Sequence, residues 1–104
     1  LQPDDIFGYQ EYIRSMQERL KDLQPTLDSF TESPHHSDSL TWWHNLRQYH
    51  LLPFSGAWMD QPAWWLEDVR YFDLLEEQSN LPHWIARAEK ALSDAMRTIR
   101  NGTR

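Results

Sequence analysis

The five histidines are the first residues to test for chemistry. His35, His36 and Asp38 cluster in one polar stretch, while His44, His50 and His83 are scattered. A zinc site needs three or four ligands within tetrahedral reach, and no HExxH pair is present to supply two from one helix face. Glu32 and His35 have the E-x-x-H spacing of di-iron bundles, but Pro34 breaks the helix that motif requires and no second copy exists. A solvated linker is the plainer reading, and no metal is expected. Ser55 lies in Phe54-Ser55-Gly56, without the G-x-S-x-G elbow, and there is no cysteine nucleophile. Glu67–Asp68 and Glu76–Glu77 are adjacent in sequence, so on a helix they do not face each other as an acid–base pair. No P-loop or dinucleotide fingerprint occurs. Asn101-Gly102-Thr103 matches a glycosylation sequon, a triplet that arises readily by chance. His44 and His50 are too few for a pigment or small-ligand bundle. The expectation is a protein with no catalytic residue, no metal and no cofactor.

What the sequence does concentrate is aromatic surface. Leu52 to Leu66 (LPFSGAWMDQPAWWL) sets Phe54, Trp58, Trp64 and Trp65 among Pro53, Gly56 and Pro62. A rigid loop presenting such rings is a binding knuckle, since aromatic anchors dominate interface energetics. The same rings folded back would close one end of a bundle. Trp42-Trp43 and Trp64-Trp65 add a constraint, because neighbouring helical residues point about 100° apart and cannot share one narrow stripe. One ring of each pair belongs at a helix flank or against a partner. The candidate partner-binding set is therefore Trp42, Phe54, Trp58, Trp64 and Trp65.

Helices must position these rings. Ile6, Tyr9, Ile13, Met16, Leu20, Leu23, Leu27 and Phe30 alternate three and four apart, an a/d stripe held for about four heptads. Asp4 and Asp5 suit a helix start, and Pro3 is tolerated there. Gly8 weakens the helix, and Pro25 predicts a kink or a new start near Gln24; the stripe stays in phase across it, which favours the kink. This first helix, about 3–31, would run about 40 Å. Its stripe lines either an intramolecular bundle or a seam with another chain. Residues 32–38 read as a linker. Asp38 or Ser39 caps a second helix over about 39–50, with Leu40, Trp43, Leu46 and Tyr49 or His50 inward. Leu51 to Trp58 is an apolar loop. Asp60 caps a third helix over about 61–77, with Pro62 in its first turn. Gln78 to Pro82 is a break, with Asn80 as cap, and a fourth helix covers about 82–101 before Gly102. Ile85, Ala88, Leu92, Ala95 or Met96, and Ile99 share its face. The expected fold is all-α, a single domain over residues 1–104 built as a bundle of about four helices.

Composition narrows the partners. In 104 residues there are six Trp, four Tyr and four Phe, enough rings to fill a small core and leave some for a partner. The net charge of −6 argues against nucleic acid, which is bound by Lys and Arg clusters. Charge is uneven: Gly56 to Asn80 holds six acids against Arg70, while Leu81 to Arg104 holds five bases against Glu89 and Asp94. The two blocks pair with each other or with neighbouring copies, or are simply solvated faces. Glu67, Asp68, Asp73 and Glu76 form the candidate acidic surface. Without Cys there is no disulfide framework, which fits a reducing compartment. No apolar run reaches the roughly 20 residues that span a bilayer, and no signal peptide is visible. A soluble, cytoplasmic protein is expected.

The stretch Leu51-Leu52-Pro53-Phe54-Ser55-Gly56-Ala57-Trp58-Met59-Asp60-Gln61-Pro62-Ala63-Trp64 resembles small tailed-bacteriophage proteins of the tail gene region, in which a Leu-Pro-x-x-Gly-x-x-x-Asp-Gln-Pro turn precedes a helix. Such proteins are regarded as tail assembly chaperones or minor tail components. The resemblance implies a non-enzymatic assembly or structural role, in host cytoplasm or virion, with the Asp60-Gln61-Pro62 turn and its flanking Trp residues structural or partner-binding. The expected partner is a protein or a second copy of the chain, neither nucleic acid nor membrane. The alternative from the residues is an acidic inhibitor that mimics nucleic acid on a basic target.

Overall fold

The computed structural model describes residues 5–31 and 34–102. Pro3, Asp4, Glu32, Thr103 and Arg104, on which expectations above rest, lie outside the described residues. Among the described residues there are three α-helices and no strand: α1 (Ile6–Asp28), α2 (His36–Tyr49) and α3 (Ala63–Gly102). A short 3-10 turn, Trp58–Asp60, lies between α2 and α3. No helix among these residues is long and apolar enough to cross a membrane. The chain divides into two compact units, Leu1–Gln24 with Glu77–Arg104, and Pro25–Glu76.

Local chemistry sets the ends of α1. The Asp5 carboxylate accepts the Gly8 N–H at 2.8 Å and its carbonyl accepts the Tyr9 N–H at 3.1 Å, so Asp5 caps the helix. Gly8 fits because a Cβ there would fall within 2.6 Å of the capping carboxylate. Pro25 lies inside α1 rather than starting a new helix. One turn on, the Ser29 N–H is shared between the Pro25 and Thr26 carbonyls, and the Phe30 N–H bonds Leu27 O at 3.1 Å, the tightening that ends many helices. Of the a/d residues, Ile13, Met16, Leu23 and Leu27 are buried, and Ile6, Tyr9, Leu20 and Phe30 are half-buried.

The second helix starts earlier than its cap signals suggest. The Ser39 N–H reaches His35 O at 2.8 Å, so the first turn closes before Asp38 or Ser39. At the other end His50 takes a left-handed conformation (φ 59°) and donates its N–H to Leu46 O, the position glycine usually fills.

The expected third and fourth helices are one. Gln78 to Pro82 continues α3 without a break, and Asn80 is an interior helical residue rather than a cap. Pro82 removes one backbone donor, yet buried Leu81 and Ile85 on either side of it hold the helix together. Packing has overridden local propensity, which is only a weak bias.

In the unit Leu1–Gln24 with Glu77–Arg104, the buried apolar residues are Ile13, Met16 and Leu23 of α1 and Leu81, Ile85, Ala88 and Ala95 of α3. The α3 residues follow the expected face, except that Met96 and Ile99 are exposed. Arg19 grips Glu77 with two hydrogen bonds of 2.7 and 2.8 Å, and Gln78 Nε2 donates to Gln24 Oε1 at 2.8 Å. The Arg19 hydrogen bonds hold the Glu77 carboxyl below its usual range, against an opposing push from partial burial.

In the unit Pro25–Glu76, Trp43 of α2 packs with Trp65, Val69 and Phe72 of α3. Three polar ties cross the same pair of helices. Ser39 Oγ donates to Asp68 Oδ2 at 2.6 Å, Trp43 Nε1 donates to Asp73 Oδ1 at 2.9 Å, and Arg47 pairs with Glu76. The numbers rise together on both helices, about one turn per tie, so α2 and this part of α3 run parallel. Asp68 and Ser39 are both buried, so each satisfies the other's polar group where water cannot.

Two outcomes follow from these contacts. Pro82→Ala restores a backbone donor inside a continuous helix and should stabilise the protein by roughly 1–3 kcal/mol in urea denaturation; an unmoved midpoint would instead place Pro82 at a helix start. Because the Glu77 pKa is lowered in the folded state, its contribution is present above its unfolded value, 4.5, and is lost as pH falls through the folded one. Glu77→Gln should therefore lower the melting temperature at pH 7, with the difference from the parent shrinking below pH 4.5. A difference independent of pH would show that the ion pair is not its source.

A clamped turn with exposed aromatic residues

Parallel neighbours that follow one another in sequence need a connection that returns the length of the first helix. Residues 50–62 make that return. Their apolar side chains cover the flank of the helix pair: Phe54 meets Trp42 (ring centroids 5.5 Å, 77°) and Trp64 (5.7 Å, 88°) edge to face. Trp42 also lies 6.0 Å from both Trp64 and Trp65, and His35 stacks on Trp64 at 4.2 Å. The adjacent-tryptophan problem is resolved in the same way twice. Trp43 and Trp65 point into the helix–helix core, and Trp42 and Trp64 point at the crossover.

The turn itself is held by side chains folded back on its own backbone. Gln61, almost fully buried, accepts the Phe54 N–H at 3.3 Å and donates to the carbonyls of Phe54 (3.0 Å) and Ala57 (3.2 Å). Asp60 Oδ2 accepts the Ala57 N–H at 2.9 Å, while the Asp60 N–H returns to Ala57 O at 3.0 Å. Gly56 sits at φ +99°, a left-handed value, and a Cβ there would lie 2.8 Å from Asp60 Oδ2. Pro62 then starts α3, its carbonyl accepting the N–H groups of Trp65 and Leu66. Pro62 rather than Asp60 thus leads into the helix, since the Asp60 carboxylate is occupied within the turn. Each of Gly56, Asp60, Gln61 and Pro62 has an assigned backbone task.

At the tip of this frame Trp58 is 42% exposed and Met59 85%. Leu51 and Phe54 are exposed apolar residues on the same connection, and Tyr49 is exposed at the end of α2 just before it. Of the candidate binding residues, Trp58 and Phe54 therefore present surface, Trp42 and Trp64 are half-buried in the ring cluster, and Trp65 is fully enclosed. No partner touches the Trp65 ring without opening the core. Met59 was not singled out in the sequence, and Gln61 only as part of the Asp60-Gln61-Pro62 turn. Gln61 gave a signal, its place between Asp60 and Pro62; Met59 gave none.

The candidate acidic surface is less open than its sequence. Asp68 is buried on Ser39, Asp73 holds the Trp43 indole and Glu76 holds Arg47, which leaves Glu67 exposed without such a tie. An open cleft of about 970 Å³ lies beside these helices, lined among others by Phe30, His36, Trp64, Glu67, Asp68 and Tyr71. Arg70 lies over the Phe30 ring at 5.2 Å, and His36 Nδ1 is buried without a hydrogen-bond partner. The Ser39 hydroxyl donates to the Asp68 carboxylate, and both residues are buried. Among the described residues no three of His, Asp and Glu gather closely enough to hold a metal ion.

No family model, curated protein or solved structure matches the chain.

Gln61→Ala should leave the helices intact but free the turn. Hydrogen exchange at the Phe54 amide should accelerate at least tenfold, and Asp60→Ala should do the same at Ala57. Unchanged protection at either amide would mean that the clamp is not what holds the turn.

Proposed function

We propose that this chain is a non-enzymatic assembly or structural protein of the phage type, acting by protein–protein binding through the turn at Trp58 and Met59. The supporting observation is that two large apolar side chains stand exposed on a backbone fixed by Gln61, Asp60 and Gly56. Folding gains little from rings left in water, whereas a partner gains anchors whose ordering entropy is already spent. The resemblance of the turn to tail-region proteins supports the same class of role. The half-buried a/d residues Ile6, Tyr9 and Leu20 of α1 are a second surface for self-association in that reading.

An acidic inhibitor of a basic target is the second reading. It is favoured by the placement of charge: residues 25–76 hold eight acids and two bases, a net −6 equal to that of the whole chain. The two readings part on salt. An acidic mimic loses affinity steeply as salt rises, while ring-anchored binding persists through moderate salt.

A photo-crosslinking residue at position 59, in the cell that makes the protein, should yield covalent protein adducts at least tenfold above the same residue at exposed Lys21. Equal yields would overturn the turn as the contact. Trp58→Ala should leave the melting temperature within about 2 °C while abolishing the adducts formed from position 59. Trp65→Ala, by contrast, should cost about 3–5 kcal/mol, as truncation of an enclosed ring does.

A further inference from the structure

We infer that the open cleft in the Pro25–Glu76 unit is a binding site for a small organic cation, an ammonium or guanidinium carried on a flat apolar body. The cleft is lined by residues of that one unit, from Leu27 to Tyr71, and by none of residues 50–62. The site is therefore independent of the turn and of the function read from it.

The first observation is a buried carboxylate without a countercharge. Asp68 lines the cleft and is only 5% exposed. A carboxylate so enclosed needs hydrogen bonds and an opposite charge to offset the hydration it has lost. Ser39 supplies a hydrogen bond, but no Lys or Arg among the described residues forms an ion pair with Asp68. Its neighbour Glu67 lines the same cleft and likewise has no ion pair among those residues. With Asp28, the lining carries three acids against one base, Arg70, so the field in the cleft favours a cation over an anion.

The second observation is that the aromatic wall already holds a cation. Phe30, Trp64 and Tyr71 line the cleft, and the faces of such rings attract positive charge. The Arg70 guanidinium lies 5.2 Å over the Phe30 ring, and among the described residues it pairs with no carboxylate. Arg70 is exposed, so a ligand displaces it from the ring at little cost. In this reading Arg70 is the chain's own competitor for the site. His36, also on the wall, keeps a buried Nδ1 with no hydrogen-bond partner, a polar atom that folding alone leaves unsatisfied.

Size selects the source of the cation. The cleft of about 970 Å³ lies at the upper end of the range of small-molecule sites, roughly 300–1,000 Å³. A single Lys or Arg side chain from a partner would fill a small part of it. A free molecule with a planar apolar body covers the rings while its charge reaches Glu67 and Asp68.

Titration of the full-length chain with phenethylammonium, followed by amide NMR shifts, tests this. Saturable shifts should appear at Phe30, Glu67, Arg70 and Tyr71, with Kd of about 2 mM or lower. Its neutral analogue 2-phenylethanol and the anion phenylacetate should each bind at least fivefold more weakly. Glu67→Gln should weaken phenethylammonium at least threefold. Asp68→Asn, which keeps an acceptor for the Ser39 hydroxyl, should weaken it at least fivefold. Arg70→Gln should do the opposite and tighten binding at least threefold, an effect that loss of structure would not produce. Glu67 and Arg70 are exposed, so those two variants decide the matter even where Asp68→Asn fails to fold. The inference is overturned by the absence of saturable shifts up to about 20 mM, by equal binding of 2-phenylethanol, or by Arg70→Gln leaving affinity unchanged or weaker. Tighter binding of phenylacetate would make the cleft an anion site of Arg70, and tighter binding of N-acetylarginine methylamide would give it to a partner's side chain; either result removes the free cation.

Discussion

The parallel pairing of α2 with the first part of α3 is the constraint from which the rest of the Pro25–Glu76 unit follows. Helices that succeed one another with a short loop run antiparallel, because the chain reverses at the turn. Here Ser39, Trp43 and Arg47 meet Asp68, Asp73 and Glu76 in ascending order. The 14 residues of α2 advance about 20 Å by the helical rise, and the chain must travel back that distance before α3 begins. Residues 50–62 would reach about 43 Å if extended, at about 3.3 Å per residue. The connection therefore has about twice the length it needs. The surplus is gathered into the turn from Phe54 to Gln61.

The same geometry accounts for the aromatic content. A helix that packs on a neighbour along one side and under a returning chain along another needs apolar residues on two faces. Adjacent tryptophans provide this, since consecutive helical side chains diverge by about 100°. Trp43 and Trp65 serve the helix pair, while Trp42 and Trp64 lie beneath Phe54. The crossover is apolar for a corresponding reason, because a polar strand over those indoles would leave them wet. A core of this kind holds many ring contacts in few residues, which suits a unit of modest size.

The periodic segments were legible in the sequence. The all-helical class, the face of α1 and the ring-bearing loop follow from apolar spacing and from proline and glycine positions. Three features were not. Helix direction leaves no local mark, since Ser39, Asp68 and Asp73 read as ordinary polar residues until the ladder pairs them. The continuity of α3 was hidden by Asn80 and Pro82, whose breaking tendency is local, whereas the burial of Leu81 and Ile85 that outweighs it is tertiary. The acids after Gly56 looked like one open surface, yet Asp68, Asp73 and Glu76 each have a structural partner across the ladder. In the turn, ring type does not distinguish exposed Trp58 from enclosed Trp65; only exposure does.

The clamp on the turn also divides the labour among neighbouring positions. Gly56, Asp60 and Gln61 fix the backbone path through φ, carboxylate and amide, and Pro62 launches the helix beyond it. Met59 contributes almost nothing to that path, and Trp58 contributes its carbonyl rather than its ring. Mutational drift at these two sites is thus nearly decoupled from folding, much as hypervariable tips are decoupled from the framework of an antibody domain. A lineage carrying this frame is free to exchange the side chains at two codons while inheriting the scaffold unchanged.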